Sequence, residues 1–217
     1  MLFKIGVLIY GYFAGALIQA GYWMGKFNKI DIRDYGSGNA GTTNVMRTLG
    51  KKAGIATYLL DAFKAVIADI LIHFLIVPHT AIPEMLLFLY CGLGIVLGHN
   101  FPFYLGFRGG KGIAASAGML LAMDWRVFLI CAVIFIELVA ITRYVSLGSM
   151  AAYVGALICF IGFGAAGSYG MDFPHTFEMD VIMGLMTALA IYRHRANIYR
   201  LLNGTENKLG AAKTAAK

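Results

Sequence analysis

Three separated stretches of this chain combine residue types that could bind and turn over phosphate-bearing molecules. The first reads Gly36-Ser37-Gly38-Asn39-Ala40-Gly41-Thr42-Thr43-Asn44-Val45-Met46-Arg47. Glycines let backbone N–H groups turn toward an anion, Ser and Thr add hydroxyl donors, and Arg47 supplies a two-pronged fork matched to phosphate oxygens. A flexible polar linker has the same ingredients, and the pattern is neither a Walker loop nor a dinucleotide fingerprint. The second stretch runs from Gly98 through His99 to Arg108-Gly109-Gly110-Lys111-Gly112. Its two cations could be simple membrane anchors, but glycines and a lysine at the mouth of a helix expose backbone donors beside a positive dipole end, which favours anion binding. His99 reads equally as a hydrogen-bonded interfacial residue or as a catalyst. The third stretch, 194–207, sets His194, Asn197 and Leu201 on one helical face, so His194 and Asn197 look toward one pocket. Arg193 and Arg200 read as surface anchors, and Glu206 is ambiguous.

The elements that must position these residues are membrane helices. Of the 217 residues 59% are hydrophobic and 13% charged, with a mean hydropathy of +0.73, which excludes an ordinary soluble domain and a disordered chain. Seven apolar segments cover residues 2–24, 54–77, 81–97, 112–123, 127–141, 145–166 and 177–192. The first ends in Tyr22-Trp23, with no small-residue cleavage site, and so predicts a retained helix. The fourth, about 18 Å long, is short for a bilayer core of about 30 Å.

With seven crossings, all 18 lysines and arginines but Lys4, Arg126 and the internal Lys64 fall on one side. The expected fold is therefore an all-α polytopic membrane protein with seven transmembrane helices, N-terminus outside and C-terminus inside, and one short fourth span. Merging spans four and five would put the basic C-terminal tail outside. The net charge of +7 is thus accounted for by orientation, and no nucleic-acid partner is expected. Residues 210–217 read as a frayed basic tail.

Several polar residues within or near the spans read as structural. Asp61 and Lys64, three apart, are expected to form an ion pair supporting the first loop, and Asp69 could pair with His73. Cys91, Cys131 and Cys159 lack metal-ligand spacing and read as small core residues. No metal site or cofactor is expected. His175 and Asp180, five apart, could pair a histidine base with an orienting carboxylate, but such a spacing recurs by chance and they fall on the side away from every basic loop. Gly155, Gly162 and Gly164 read as close-packing positions.

On GSGNAGTTN with Arg47, on GHNFPFYLGFRGGKG, on Tyr144-Val145-Ser146-Leu147-Gly148-Ser149 and on HRANIYRLLNGTEN, the chain resembles, over its whole length, the bacterial membrane acyl-phosphate:glycerol-3-phosphate acyltransferases of the PlsY type. It departs at Arg108, where the family typically has lysine, and at Ala115, where it has threonine. The resemblance implies transfer of an acyl group from acyl phosphate to the sn-1 hydroxyl of glycerol 3-phosphate at the cytoplasmic face of the inner membrane. It implies that Ser37, Gly38, Asn39, Thr43 and Asn44 hold the acyl-phosphate end. Arg47, Lys111, Ser149, His194 and Asn197 would hold glycerol 3-phosphate, with Ser37, Arg47, Lys111, His194 and Asn197 catalytic. His99, Arg108, Gly109, Gly110, Gly112, Asp61, Lys64 and Glu206 would support them. Implied partners are the two substrates, membrane lipid and the soluble enzyme that makes acyl phosphate. Such a donor is already activated, so orientation and charge stabilisation suffice without a covalent enzyme intermediate. His99, His194 or the donor's phosphate could take the proton, and the last is preferred. An anion transporter and an acyl-CoA or acyl-carrier-protein acyltransferase are the rival readings.

Overall fold

Long apolar runs with few charges satisfy their backbone groups internally, and in the computed structural model, which describes residues 1–210, they form helices with no strand among the described residues. The helices are α1 (Leu2–Leu17), α2 (Ala20–Phe27), α3 (Thr42–Leu49), α4 (Lys51–Leu75), α5 (Glu84–Asn100), α6 (Ile113–Met123), α7 (Trp125–Thr142), α8 (Val145–Ala165), α9 (Phe173–Arg193) and α10 (Arg195–Leu202). Segments Leu2–Phe27, Glu84–Leu105, Trp125–Thr142 and Val145–Ala165 are long and apolar enough to cross a membrane. Helix α4, of 25 residues, has the length but carries Asp61, Lys64 and Asp69. The tail expected from residue 210 lies, beyond Gly210, outside the described residues.

Large apolar side chains point outward, among them Ile67 and Phe74 on α4, Val133 and Ile136 on α7 and Ile158 on α8. Such a surface suits hydrocarbon better than water. Inside, glycine allows backbones to touch. Gly11 and Gly15 of α1 face Cys91 and Ile95 of α5, while Gly94 and Gly98 of α5 face Leu8 and Tyr12 of α1, so each helix carries a small-xxx-small pair against its partner. Gly118 of α6 meets the Ala62 carbonyl of α4 in the same way. The packing role expected at Gly162 is not observed, because nothing lies within 4 Å of where its side chain would start. Gly155 and Gly164 do face neighbours: a side chain added at either would start 2.7 Å from Ile134 or Thr176.

One end of the bundle is tied by Lys4, whose Nζ donates to Glu178 at 2.6 and 2.7 Å, while the Tyr90 hydroxyl donates to the same carboxylate at 2.6 Å. These residues lie in the first two turns of α1, α9 and α5, so the three helices start together and run toward the opposite end. Asp124 separates α6 from α7: its extended backbone ends the short helix, and its carboxylate accepts from the Arg126 N–H at 2.9 Å to cap the next.

The first segment is not the unbroken helix its apolar run predicts. It stops at Leu17 and resumes at Ala20, with Ile18 and Gln19 outside the helical region. The break survives because its polar groups find partners. Lys64 Nζ donates to the Ile18 carbonyl at 2.6 Å, Trp23 Nε1 to the Leu17 carbonyl at 3.2 Å, and the fully buried Gln19 amide to the Gly15 and His99 carbonyls at 3.1 and 3.0 Å. The pairing of Asp69 with His73 is not found either. His73 meets Glu84 at 2.5 Å, and the buried Asp69 carboxyl has no hydrogen-bond partner among the described residues.

Candidate active site

The end of the bundle opposite the Lys4–Glu178 pair holds a polar cavity of about 470 Å³. Its wall is built from helix starts. Thr42 opens α3, Ile113 opens α6, Val145 opens α8 and Arg195 opens α10, and all four residues line the cavity. Each start presents unpaired N–H groups and a positive dipole end, so four such starts around one cavity favour bound anions. Arg47, Arg108, Lys111, Arg193 and Arg200 add charge to the same wall.

The loop before α3 is shaped by Asn44. Its Oδ1 accepts from the Ser37 N–H at 2.8 Å, and its Nδ2 donates to the Ile32 and Tyr35 carbonyls at 3.0 and 2.9 Å. Gly36 adopts φ +59°, and a side chain there would strike Asn44 Oδ1. The amide expected to touch a donor phosphate is therefore occupied in holding the loop, which leaves the side chains of Ser37, Asn39 and Thr43 along the cavity. Behind the loop, Ile32, Ala40 and Val45 form a small core.

The loop after α5 folds back on its own helix. Gly110 N–H donates to the His99 carbonyl at 3.0 Å and Gly109 N–H to the Asn100 carbonyl at 3.2 Å. Arg193, read from the sequence as a surface anchor, is instead half-buried: it donates to the Gly110 carbonyl at 2.7 Å and sits 4.9 Å over the Phe101 ring. Gly112, at φ +80°, turns the chain into α6. Lys111 reaches Asn197 Oδ1, and burial pushes its ammonium down to about 8, against the opposing pull of Glu206.

On the α9–α10 side, His194 and Asn197 are both buried and both line the cavity. A carbonyl can only accept, so the 2.8 Å contact between His194 Nδ1 and the Ala190 carbonyl places the proton on Nδ1 and leaves Nε2 as a bare acceptor. Burial, reinforced by the Lys111 charge, holds His194 down at about 4, so the ring is neutral near pH 7. Glu206 resolves from ambiguous to central. It accepts from Ser146 Oγ at 2.9 Å, from Asn197 Nδ2 at 2.7 Å and from Arg200 Nε at 2.8 Å. Burial would raise its carboxyl, but these three hydrogen bonds outweigh that and hold it below the ordinary glutamate value. Arg200, too, is part of the wall and not a free anchor.

The expected Asp61–Lys64 pair is present at 2.8 Å, and His99 Nδ1 lies 2.9 Å from the same ammonium. By contrast, His175 and Asp180 form no pair: His175 meets Asp172 at 2.6 Å, at the start of α9, about 28 Å of helix from His194.

A second, apolar cavity of about 340 Å³ adjoins the first, its wall formed by Met119, Phe128, Cys131, Ala152, Ala156 and their neighbours. Tyr58, Ile113, Phe135 and Ser149 line both. Sequence reasoning missed Tyr58, Phe135 and Gln19, and read Arg193 as a surface anchor. Gln19 alone left a signal, as an amide inside an apolar run.

Helices with an apolar exterior and a basic, glycine-walled cavity adjoining an apolar one define a membrane protein with a site suited to an anion beside an apolar group. The family model for glycerol-3-phosphate acyltransferase matches residues 5–204. A glycerol-3-phosphate acyltransferase of Clostridioides difficile (strain 630) is 45% identical over 85% of this chain and 84% of its own length; one of Thermoanaerobacter pseudethanolicus is 39% identical over 96% and 97%. The chain also superposes on crystal structures of PlsY, described as an integral membrane glycerol 3-phosphate acyltransferase. The glycerol 3-phosphate form gives a TM-score of 0.80 and the lysophosphatidic acid form 0.78, each at 35% identity, covering 95% of this chain and 96% and 95% of theirs. The chain belongs to the PlsY family of glycerol-3-phosphate acyltransferases and is a membrane-embedded acyltransferase.

Proposed function

We propose that the enzyme transfers an acyl group from acyl phosphate to the sn-1 hydroxyl of glycerol 3-phosphate, yielding 1-acyl-glycerol 3-phosphate and inorganic phosphate. The observation that carries this reading is the junction of the two cavities. A donor with a phosphate at one end and a hydrocarbon chain at the other must place its carbonyl where polar wall gives way to apolar wall, beside Tyr58, Ile113, Phe135 and Ser149.

Ser37, Gly38, Asn39 and Thr43, with the start of α3, hold the donor phosphate, and Asn44 keeps their loop in shape. Arg47, Lys111, Ser149, His194 and Asn197 hold glycerol 3-phosphate. The glycerol oxygen attacks the acyl carbon, the new ester bond forms, the bond to the phosphate oxygen breaks, and phosphate leaves with the hydroxyl proton. His194 Nε2 orients that hydroxyl by accepting its hydrogen bond; a ring held at about 4 is too weak a base to keep the proton. The cations and helix starts offset the charge that collects on the leaving phosphate.

A seven-span arrangement in the bacterial inner membrane, N-terminus out with the polar cavity on the cytoplasmic side, is part of this reading, and the cations gathered around that cavity support the orientation. The test of the donor is product analysis by mass spectrometry after purified protein meets glycerol 3-phosphate with palmitoyl phosphate or palmitoyl-CoA. Lysophosphatidate from the phosphate donor alone is expected; product from the thioester alone overturns the reading.

A further inference from the structure

Behind the cavity wall, Lys64 has three N–H donors and meets three acceptors: the Ile18 carbonyl at 2.6 Å, Asp61 Oδ1 at 2.8 Å and His99 Nδ1 at 2.9 Å. An ammonium has no lone pair with which to accept, so its third proton must point at His99 Nδ1, and that nitrogen must be bare. Asp61 Oδ1 lies 3.6 Å from Nδ1, beyond hydrogen-bond reach, so the carboxylate holds the lysine and not the ring. The His99 proton is then on Nε2. His99 lines the polar cavity, and Nε2 has no hydrogen-bond partner among the described residues, yet is not one of the sealed, unsatisfied atoms. Gly110 lies against it, and any side chain at 110 would strike Nε2. Glycine there is thus required to leave this N–H open. His194 has the reverse setting, proton on Nδ1 and lone pair on Nε2.

We propose that Lys64 is a positioning residue that locks His99 as a neutral Nε2–H donor on the wall of the phosphate cavity, and that the same ammonium ties this setting to the break between α1 and α2 through the Ile18 carbonyl. The donor role rests on the cavity being a phosphate site. It divides the histidines: His99 gives a hydrogen bond to an anion, and His194 takes one from a hydroxyl. A local change at the break, by moving the Ile18 carbonyl, reaches the phosphate cavity through one side chain.

The test is ring ¹⁵N NMR of histidine-labelled protein in detergent, with the His99 signals assigned by their loss in His99→Gln. The expected wild-type spectrum has an unprotonated Nδ1 and a protonated Nε2 near pH 7. In Lys64→Met the tautomers mix or invert, and kcat/KM for acyl phosphate falls roughly 10- to 100-fold. His99→Gln, whose amide still donates, retains about 10-fold more activity than His99→Ala. A protonated Nδ1 in the wild type, or a Lys64→Met protein with unchanged spectrum and unchanged kcat/KM, overturns the proposal. Should Lys64→Met not accumulate, the wild-type spectrum and the Gln and Ala pair still decide it. Because the spectrum needs no substrate, its failure is distinct from failure of the acyl-phosphate reading, which shows as absent turnover of palmitoyl phosphate.

Discussion

Lys111 gives the cavity a cation that titrates close to working pH. Held at about 8 by burial, it is protonated below that value and can hold a phosphate; as pH rises through it the charge is lost. Since kcat/KM reports the free enzyme, we expect kcat/KM for glycerol 3-phosphate to fall about tenfold per pH unit above about 8. Lys111→Arg should lack this limb, because guanidinium stays charged; a limb that persists in the arginine variant assigns it to another group. His99→Gln and His194→Gln should keep measurable turnover and the same alkaline limb, as fits a proton that leaves on the phosphate. Glu206 is the other decisive side chain. Glu206→Ala strips the acceptor from Ser146, Asn197 and Arg200 and should cost about 2–3 kcal/mol, read as a lower melting temperature in detergent together with lost activity. Glu206→Gln keeps one acceptor oxygen and should do less on both counts. That Ser37, Arg47, Lys111, His194 and Asn197 gather around one cavity was legible from the sequence because glycine, hydroxyl and cation together have a chemistry of their own. The commitment of Asn44 to its loop was not, since nothing local distinguishes an amide that binds a ligand from one that binds backbone.

At the scale of elements, two features place those residues. The contact of α1 with α5 brings backbones together at Gly11, Gly15, Gly94 and Gly98, and it positions the helix end that carries His99. Gly98→Ala should lower stability by at least about 1–3 kcal/mol, because its new methyl group would meet the Tyr12 carbonyl, which cannot move aside as a side chain could. Gly162→Ala meets nothing and should be neutral or gain up to about 1 kcal/mol from helix propensity. Melting temperatures of the two variants in one detergent check both. The break at Ile18–Gln19 is the second feature. An apolar run of about 20 residues predicts a helix, and the Gln19 amide is the mark it carries of an opening; Lys64 of α4 and the His99 carbonyl of α5, which satisfy the polar groups at the break, are brought there by tertiary packing. For the same reason Arg193 and Arg200 read as anchors from the sequence, since their partners, Gly110 and Glu206, are set by tertiary packing.

For the whole molecule, the proposed reaction rests on an apolar cavity adjoining a basic one at one end of the bundle. Narrowing the apolar cavity with Ala132→Phe should cut turnover of palmitoyl phosphate about 10-fold relative to a donor with a ten-carbon chain, measured side by side; equal losses on both donors would place the chain elsewhere. Reporter fusions after Arg47 and after Asn197 should both report the cytoplasm. The helical class and the convergence of the basic stretches were visible from hydropathy and charge placement. The apolar cavity was not, because lining residues such as Ala152, Ala156 and Met183 look like any other core positions. The central claim, that both phosphate-bearing substrates occupy the site together and react directly, is tested by initial-rate kinetics with palmitoyl phosphate and glycerol 3-phosphate varied against each other. Intersecting double-reciprocal lines, with no phosphate released before glycerol 3-phosphate is added, are predicted; parallel lines with an early burst of phosphate would contradict it.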